Sequence, residues 1–134
     1  MEFEFKSGFQ VLAKFAGKEN LPLILETSVT PEEKSRGLSF RNNLPDNYGM
    51  IFVFRPEQKV PIWMKDTFIP LDIVFINNGT IVEIIKNTKP NQIYPMYEAE
   101  LEITEFIEVN SGFIDRNNIK VGDKVYFEKI VLFI

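Results

Sequence analysis

The chain of 134 residues contains no cysteine and no histidine. The missing cysteines exclude disulfide bonds, thiolate nucleophiles and zinc sites built from sulfur ligands. The missing histidines exclude a Ser-His-Asp arrangement, the usual general base near neutral pH and the commonest ligand of transition metals. Any catalysis must therefore use carboxylate, lysine or tyrosine chemistry or an oxygen-bound metal. No acidic cluster has the spacing of a metal-binding loop, so we expect neither a metal nor a cofactor.

The chain also lacks a cluster of basic residues, since 15 Lys and Arg face 19 Asp and Glu and the net charge is −4. Nucleic-acid binding and adsorption to an anionic membrane both need such a cluster. The longest apolar runs, 50–54 and 130–134, are far shorter than the roughly 20 residues of a membrane span. We therefore expect no nucleic-acid partner and no membrane. The expected partners are a small polar ligand or another protein, and the composition specifies no oligomeric state.

The N-terminal residues, Met1-Glu2-Phe3-Glu4-Phe5-Lys6, alternate in polarity and do not form the basic and apolar regions of a signal peptide. We expect a cytoplasmic protein, or an extracytoplasmic one if a leader has been removed. The length and the hydrophobic content of 45% fit one domain over residues 1–134.

Short apolar runs separated by turn residues predict a mostly β fold, and the 13 phenylalanines favour strands. Asn77-Asn78-Gly79 predicts a hairpin turn, and the capping box from Thr30 to Glu33 predicts a short helix. A second short helix is predicted from Ser111 to Asn118. Strands are predicted near residues 3–5, 9–13, 21–26, 49–54, 71–76, 81–85, 100–109 and 125–134. The fold class is a single compact β domain, barrel-like or sandwich-like, with two short helices.

The segment from Trp63 to Phe68 places the only tryptophan beside charged residues in an otherwise apolar run. If the segment is extended, Trp63, Lys65 and Thr67 share one face. Such a face could stack on a planar or sugar ring and bind its anionic or hydroxyl groups. The alternative is that Trp63 anchors the core while Lys65 reaches solvent.

Asp72 lies within the apolar run from Leu71 to Ile76 and needs a counter-charge or several hydrogen-bond donors. Lys65, Arg36 and Arg41 are the candidate counter-charges. Two roles for Asp72 therefore remain open. It is either a functional carboxylate or a structural one, and a structural carboxylate would form an ion pair or accept backbone N–H groups.

Four further residues are candidate ligand-binding residues: Arg41, Asp66, Tyr97 and Asn110. The planar guanidinium of Arg41 suits carboxylate or phosphate recognition, and Tyr97 lies in a predicted loop. Asp66 adds a charge beside Lys65, and Asn110 precedes a helix start whose amides could bind an anion. The strand predicted at 100–109 has an acidic face, and Glu98, Glu100 and Glu102 are expected to be solvated.

Several runs match one known family: Thr30 with Glu33, Arg36-Gly37-Leu38-Ser39-Phe40-Arg41, Leu44-Pro45, Gly49 to Phe54, Trp63 to Ile76, Asn110 to Phe113 and Ile119 to Val125. On these runs the chain resembles the family called domain of unknown function 192 over roughly residues 21 to 127. The resemblance implies a barrel-like β fold without an assigned activity. The family's motif positions are matched by Trp63, Lys65, Thr67, Asp72, Arg41 and Asn110. Asp66 stands where the family usually has asparagine, and the loop at 90–97 lacks the cysteine of many members.

The residues support three hypotheses for function. The leading one is non-catalytic binding of a small polar or saccharide-like ligand, or of a protein partner, around Trp63, Lys65, Thr67 and Asp72. The second is a hydrolytic enzyme in which Asp72 or Asp66 is the acid or base and Lys65 is the electrostatic stabiliser. The third is a purely structural interaction module. Convergence of Lys65 with an aspartate in one pocket would favour the enzyme, whereas a buried Asp72 with all its bonds satisfied would favour the structural role.

Overall fold

The computed structural model describes residues 3–130 and confirms a mostly β fold with two short helices. Over this range the chain forms nine strands, and no helix is long and apolar enough to cross a membrane. The strands are β1 (Gln10–Phe15), β2 (Leu23–Ser28), β3 (Tyr48–Gln58), β4 (Pro61–Ile62), β5 (Leu71–Asn77), β6 (Thr80–Ile85), β7 (Tyr97–Glu98), β8 (Ile103–Asn110) and β9 (Val125–Lys129). The helices are α1 (Pro31–Arg36) and α2 (Phe113–Arg116).

Seven of these strands form one sheet in the order β6-β5-β8-β3-β2-β1-β9, and β4 pairs with β7 in a separate two-stranded sheet. All neighbours are antiparallel except β2 and β3, which are parallel. The large sheet curls until its two edges meet, where Val125 donates to the Gly79 carbonyl at 2.8 Å and Ile81 donates to the Asp123 carbonyl at 2.9 Å. The result is a barrel-like domain.

The curled sheet separates two hydrophobic cores. The inner core receives side chains from all seven strands and from α2, including Ile51, Val74 and Ile107. The outer core covers the opposite face of β3, β5 and β8 with Phe52, Phe106 and residues of the segments around β4. Because side chains alternate along a strand, β8 contributes to both cores. This alternation brings one acidic residue of β8, Glu108, onto the outer face.

Helix α1 begins at the predicted capping box. The Thr30 hydroxyl accepts from the Glu33 amide at 3.2 Å, and the Glu33 carboxylate accepts from the Thr30 amide at 2.9 Å. Hydrogen bonds from the Thr30 and Val29 amides hold the pKa of Glu33 down at about 2. The helix ends at Gly37, whose φ of 47° favours glycine. Helix α1 therefore stops directly above the outer face of the sheet, where it borders a cavity.

Several sequence predictions differ from the structure in detail. Residues 3–9 form no strand, and Ser111 does not cap α2, because its hydroxyl donates to the side chain of Asn87. The strand predicted at 125–134 ends at Lys129, and residues 131–134 lie outside the described part of the chain. Glu98, Glu100 and Glu102 are exposed as predicted, whereas Glu105 and Glu108 of the same acidic stretch are buried on opposite sides of the sheet.

Candidate functional site

The segment that carries Trp63 is a turn and not the extended strand that its sequence predicted. Strand β4 ends at Ile62, and the Thr67 amide donates to the Met64 carbonyl at 3.0 Å. Asp66 takes a φ of 57°, a left-handed conformation that aspartate and asparagine tolerate better than most residues. Met64 points into the outer core, while Trp63 and Lys65 remain exposed.

A cavity of about 270 Å³, here called the Glu108 cavity, opens between this turn, the end of α1 and the outer face of the sheet. Its volume is near the lower end of the roughly 300–1,000 Å³ of ligand pockets. Aromatic rings of the sheet and polar side chains of the two covering segments line it. The rings and the polar or charged groups include Lys34, Arg36, Phe52, Phe54, Trp63, Lys65, Thr67, Phe106 and Glu108.

Glu108 is the chemically unusual residue of this cavity. It stands in register with Met50 of β3 and Ile73 of β5, so its neighbours across the sheet are apolar. Its side chain is 5% exposed and has neither a hydrogen bond nor an ion pair within the described residues. Burial raises the pKa of Glu108 to about 8. At neutral pH the carboxyl group is therefore mainly protonated and offers one donor and free acceptor capacity.

Positive charges surround the cavity above Glu108. The Lys34 ammonium lies 4.1 Å from the centroid of the Phe54 ring, and burial lowers the pKa of Lys34. The Lys65 ammonium lies 5.4 Å from the centroid of the Trp63 ring. Within residues 3–130 neither lysine forms an ion pair. The mouth of the cavity therefore offers cations and an aromatic surface, whereas its floor offers a carboxyl group.

A shallow depression adjoins the cavity and shares Trp63 and Lys65 with it. Phe40 lies in this depression, 70% exposed, with a left-handed φ of 64° that is unusual for a bulky residue. The Phe40 amide donates to the Asp66 carbonyl at 2.8 Å, and its ring packs edge-on against Phe68. Strain of this kind is retained most often at functional sites, where surrounding contacts compensate for it.

The hydrogen bonds of Asp72 indicate a structural role. Its Oδ1 accepts from the Asn87 amide at 3.0 Å, and its Oδ2 accepts from the amides of Gly112 and Ile114 at 3.1 Å each. The side chain is 1% exposed and does not line the Glu108 cavity. All three hydrogen bonds of Asp72 thus come from backbone N–H groups. None of the candidate counter-charges, Lys65, Arg36 and Arg41, forms an ion pair with it in the described part of the chain. Asp72 thereby attaches the start of α2 to β5.

The other four candidate residues also lie outside the cavity. Arg41 forms a two-point ion pair with Glu26, at 2.6 and 3.0 Å, which lowers the pKa of Glu26. The Asn110 amide donates to the Leu44 carbonyl at 2.7 Å, and the Tyr97 hydroxyl accepts from the Lys89 amide at 2.9 Å. Asp66 lines only the shallow depression. The cavity thus contains Trp63, Lys65 and Thr67 of the eight residues singled out from the sequence.

Glu108 and Lys34 were not among the candidate ligand-binding residues that the sequence indicated. The signal for Glu108 was present, since the run Phe106-Ile107-Glu108-Val109 places a carboxylate among apolar residues, as the run around Asp72 does. The same argument about unpaired buried charge therefore applies to it. Lys34 carries no such signal, because lysines on short helices are ordinarily solvent-exposed.

The raised pKa of Glu108 predicts a specific pH dependence of stability. Between pH 4.5 and about 8 the folded protein binds more protons than the unfolded chain, so the free energy of unfolding should fall as the pH rises. Glu108→Gln removes the titrating group and should flatten this decline. At pH 8.5 we expect the variant to be more stable than the wild type by about 1–2 kcal/mol, measured by urea unfolding.

The exposed Glu102 provides the matched control, because Glu102→Gln makes the same chemical change on a solvated residue. We expect it to leave the pH profile of stability within about 0.5 kcal/mol of the wild type. Identical profiles for Glu108→Gln and the wild type would contradict the burial of an unpaired carboxyl group at position 108.

The fold and cavity define a barrel-like β domain with a partly aromatic, cation-rimmed cavity on the outside of its sheet. The chain belongs to the DUF192 family, described as Uncharacterized ACR, COG1430, whose model matches residues 13–127. A comparison with curated proteins finds no match.

Two solved structures share the fold. One is a Sinorhizobium meliloti 1021 protein described as a "putative transcription regulator", with 28% sequence identity and a TM-score of 0.82. The match covers 93% of this chain and 98% of that one. The other is a Novosphingobium aromaticivorans DSM 12444 protein of unknown function, with 32% identity and a TM-score of 0.76 over 87% of this chain and 83% of that one.

Proposed function

We propose that this protein binds a small polar ligand in the Glu108 cavity. The observation that carries the proposal is Glu108 itself, a residue that is 5% exposed, whose carboxyl group has no partner in the described residues and which borders an open cavity. A buried polar group without a partner lowers stability, and the cost is offset when a ligand supplies the missing bonds. Strongly perturbed carboxyl groups in clefts are typical of functional sites.

The cavity mouth supports a ligand that has both a flat surface and polar groups. Trp63 is 46% exposed, and its ring is available for stacking beside the Lys65 ammonium. Thr67 also lines the cavity, where its buried hydroxyl donates to the Lys65 carbonyl at 3.3 Å and keeps acceptor capacity. This combination suits a small polar ligand, including a saccharide-like one, and it does not require a protein partner.

A second candidate function is acid-assisted hydrolysis, which the raised pKa of Glu108 favours. A carboxyl group that keeps its proton near neutral pH is suited to general acid catalysis, and Lys65 would stabilise developing negative charge. Neither Asp72 nor Asp66 lines the cavity, so Glu108 takes the acid role in this candidate. Hydrolysis of methyl glycosides, whose alkoxide leaving group needs a proton from a general acid, would be abolished in Glu108→Gln and would distinguish hydrolysis from binding alone.

The charge of this chain does not favour DNA contact, since its net charge is −4 and the cations at the cavity are too few to follow a phosphate backbone.

The fluorescence of Trp63 provides the test, because it is the only tryptophan of the chain and lies at the cavity mouth. We expect saturable fluorescence changes on titration with at least one probe among glucose, glucuronate, inorganic phosphate, L-phenylalanine and phosphoethanolamine. Lys65→Ala should weaken the binding of an anionic probe at least about tenfold, because it removes the charged partner at the rim.

Lys120→Ala is the control, since Lys120 is an exposed lysine that does not line the cavity. We expect it to leave every titration unchanged. Equal affinities in Lys65→Ala, Trp63→Ala and the wild type, followed by thermal shift, would show that binding does not use this cavity. The absence of a response to every probe would also contradict the proposal.

A further inference from the structure

The rings beside Glu108 suit a cation. The Phe52 and Phe106 rings stack with their centroids 4.3 Å apart, the Phe54 ring lies 5.8 Å from Phe106, and all three line the cavity. The faces of aromatic rings attract organic cations. The chain already uses one of these faces in this way, because the Lys34 ammonium lies over Phe54. A ligand ammonium group that entered the cavity would therefore lie beside aromatic rings and the carboxyl group of Glu108, and it would compete with the Lys34 ammonium for the face of Phe54.

The mouth of the cavity, in contrast, favours an anionic group. Lys65 and Arg36 line it, and no ion pair holds either of them within the described residues. They are therefore available to bind a carboxylate or phosphate, and arginine suits both by its planar geometry. The same two cations would repel a ligand that carried positive charge alone. A ligand with only negative charge would leave Glu108 without a partner.

We propose that the ligand of the Glu108 cavity is a small zwitterion, whose ammonium group contacts Glu108 among the rings and whose carboxylate or phosphate contacts Lys65 and Arg36 at the mouth. This inference rests on the proposed function and specifies its ligand class. Free amino acids and phosphorylated amines belong to this class. A neutral sugar does not, because it has no ammonium group to contact Glu108 and no anionic group to contact Lys65 and Arg36.

Binding of an ammonium group favours the ionised form of Glu108, so it must displace the proton that burial retains there. The other charged groups that share the cavity are Lys34 and Arg36 of α1 and Lys65 of the turn, while β3 and β5 place the apolar Met50 and Ile73 beside Glu108. Between pH 6 and 7.5 the affinity for a zwitterion should consequently rise about tenfold per pH unit, with release of close to one proton.

Isothermal titration calorimetry of the full chain tests the inference with L-phenylalanine and phosphoethanolamine as probes. N-acetyl-L-phenylalanine lacks the ammonium group, and L-phenylalanine amide lacks the carboxylate. We expect at least one zwitterion to bind more than tenfold more tightly than analogues that lack either charge. Repeating the titration in buffers of different ionisation enthalpy measures the released proton.

Glu108→Gln keeps the size of the side chain and cannot ionise, so it should abolish the pH dependence of zwitterion binding and reduce the affinity at least tenfold at pH 7.5. Glu102→Gln should change neither. Amide NMR spectra establish that both variants are folded.

Saturable binding of glucose or N-acetyl-L-phenylalanine, with no binding of either zwitterion, would overturn this inference and leave the proposed function standing. Zwitterion binding that is unchanged in Glu108→Gln would also overturn it. If no probe elicits any response, both proposals are wrong.

Discussion

Gly49→Ala is expected to destabilise the protein by about 4 kcal/mol or more, because the new methyl group has no space. A Cβ atom at position 49 would overlap the Glu108 carbonyl oxygen and lie 3.0 Å from Val109 Cγ1 and 3.1 Å from Leu25 Cδ2. The nearest of these atoms belongs to the backbone of β8, so a side-chain rotation cannot relieve the overlap. Strands β3 and β8 would have to separate, and their pairing positions Glu108 on the cavity floor. Urea unfolding at pH 7 measures the loss.

Gly17→Ala separates this steric effect from the loss of glycine's flexibility. Gly17 has a φ of 78°, and no atom lies within 4 Å of the position that a methyl group would take there. Only backbone strain of about 1 kcal/mol is therefore expected. A Gly49→Ala variant within 1 kcal/mol of the wild type would show that β3 and β8 are not packed as closely as described. Insolubility of Gly49→Ala under conditions where Gly17→Ala is soluble would agree with the expected loss.

Asp72→Asn is expected to destabilise the protein by about 3 kcal/mol. The carboxylate accepts three backbone N–H groups, from Asn87, Gly112 and Ile114, in a site that is 1% exposed. An amide has one acceptor oxygen, and its NH₂ group must face at least one of these donors. Each hydrogen bond to a charged group contributes about 1.5–3 kcal/mol, and an unsatisfied buried donor adds a further cost. Chemical unfolding measures the total.

Hydrogen exchange locates the effect, since the amides of Gly112 and Ile114 should lose protection first when Asp72 is replaced. Asp115→Asn is the control on the same helix, because Asp115 forms only an exposed ion pair with Lys86 at 2.7 Å. Exposed pairs contribute about 0–1 kcal/mol, so this control should remain close to the wild type. A loss below about 1 kcal/mol in Asp72→Asn would mean that Asp72 does not hold α2. In that case a functional role for Asp72 would have to be reconsidered.

Local patterns predicted most elements of the fold. The capping box at Thr30 and Glu33 and the hairpin turn at Asn78 and Gly79 lie where the sequence places them, because each depends on residues adjacent in the chain. The Trp63 segment was different. Its apolar character suggested an extended strand, and a left-handed Asp66 together with a hydrogen bond from Thr67 to Met64 made it a turn.

The candidate site was only partly predictable for the same reason. Trp63, Lys65 and Thr67 line the cavity, but they converge through the turn and not through the shared strand face that the sequence suggested. Glu108 lies on a distant strand for which the sequence predicted an acidic face. The pairing of β8 with β3 and β5 decides that it faces the cavity.

The sequence by itself determined the family, the mostly β fold class and the absence of cysteine and histidine chemistry, since these follow from composition and local motifs. Only the tertiary structure decided the roles of the buried carboxyl groups. Asp72 and Glu108 both interrupt apolar runs, yet Asp72 meets three backbone donors at the start of α2, whereas Glu108 meets phenylalanine rings and an open cavity. The free energy of a buried charge depends on its neighbours in space, and those neighbours come from distant strands and turns.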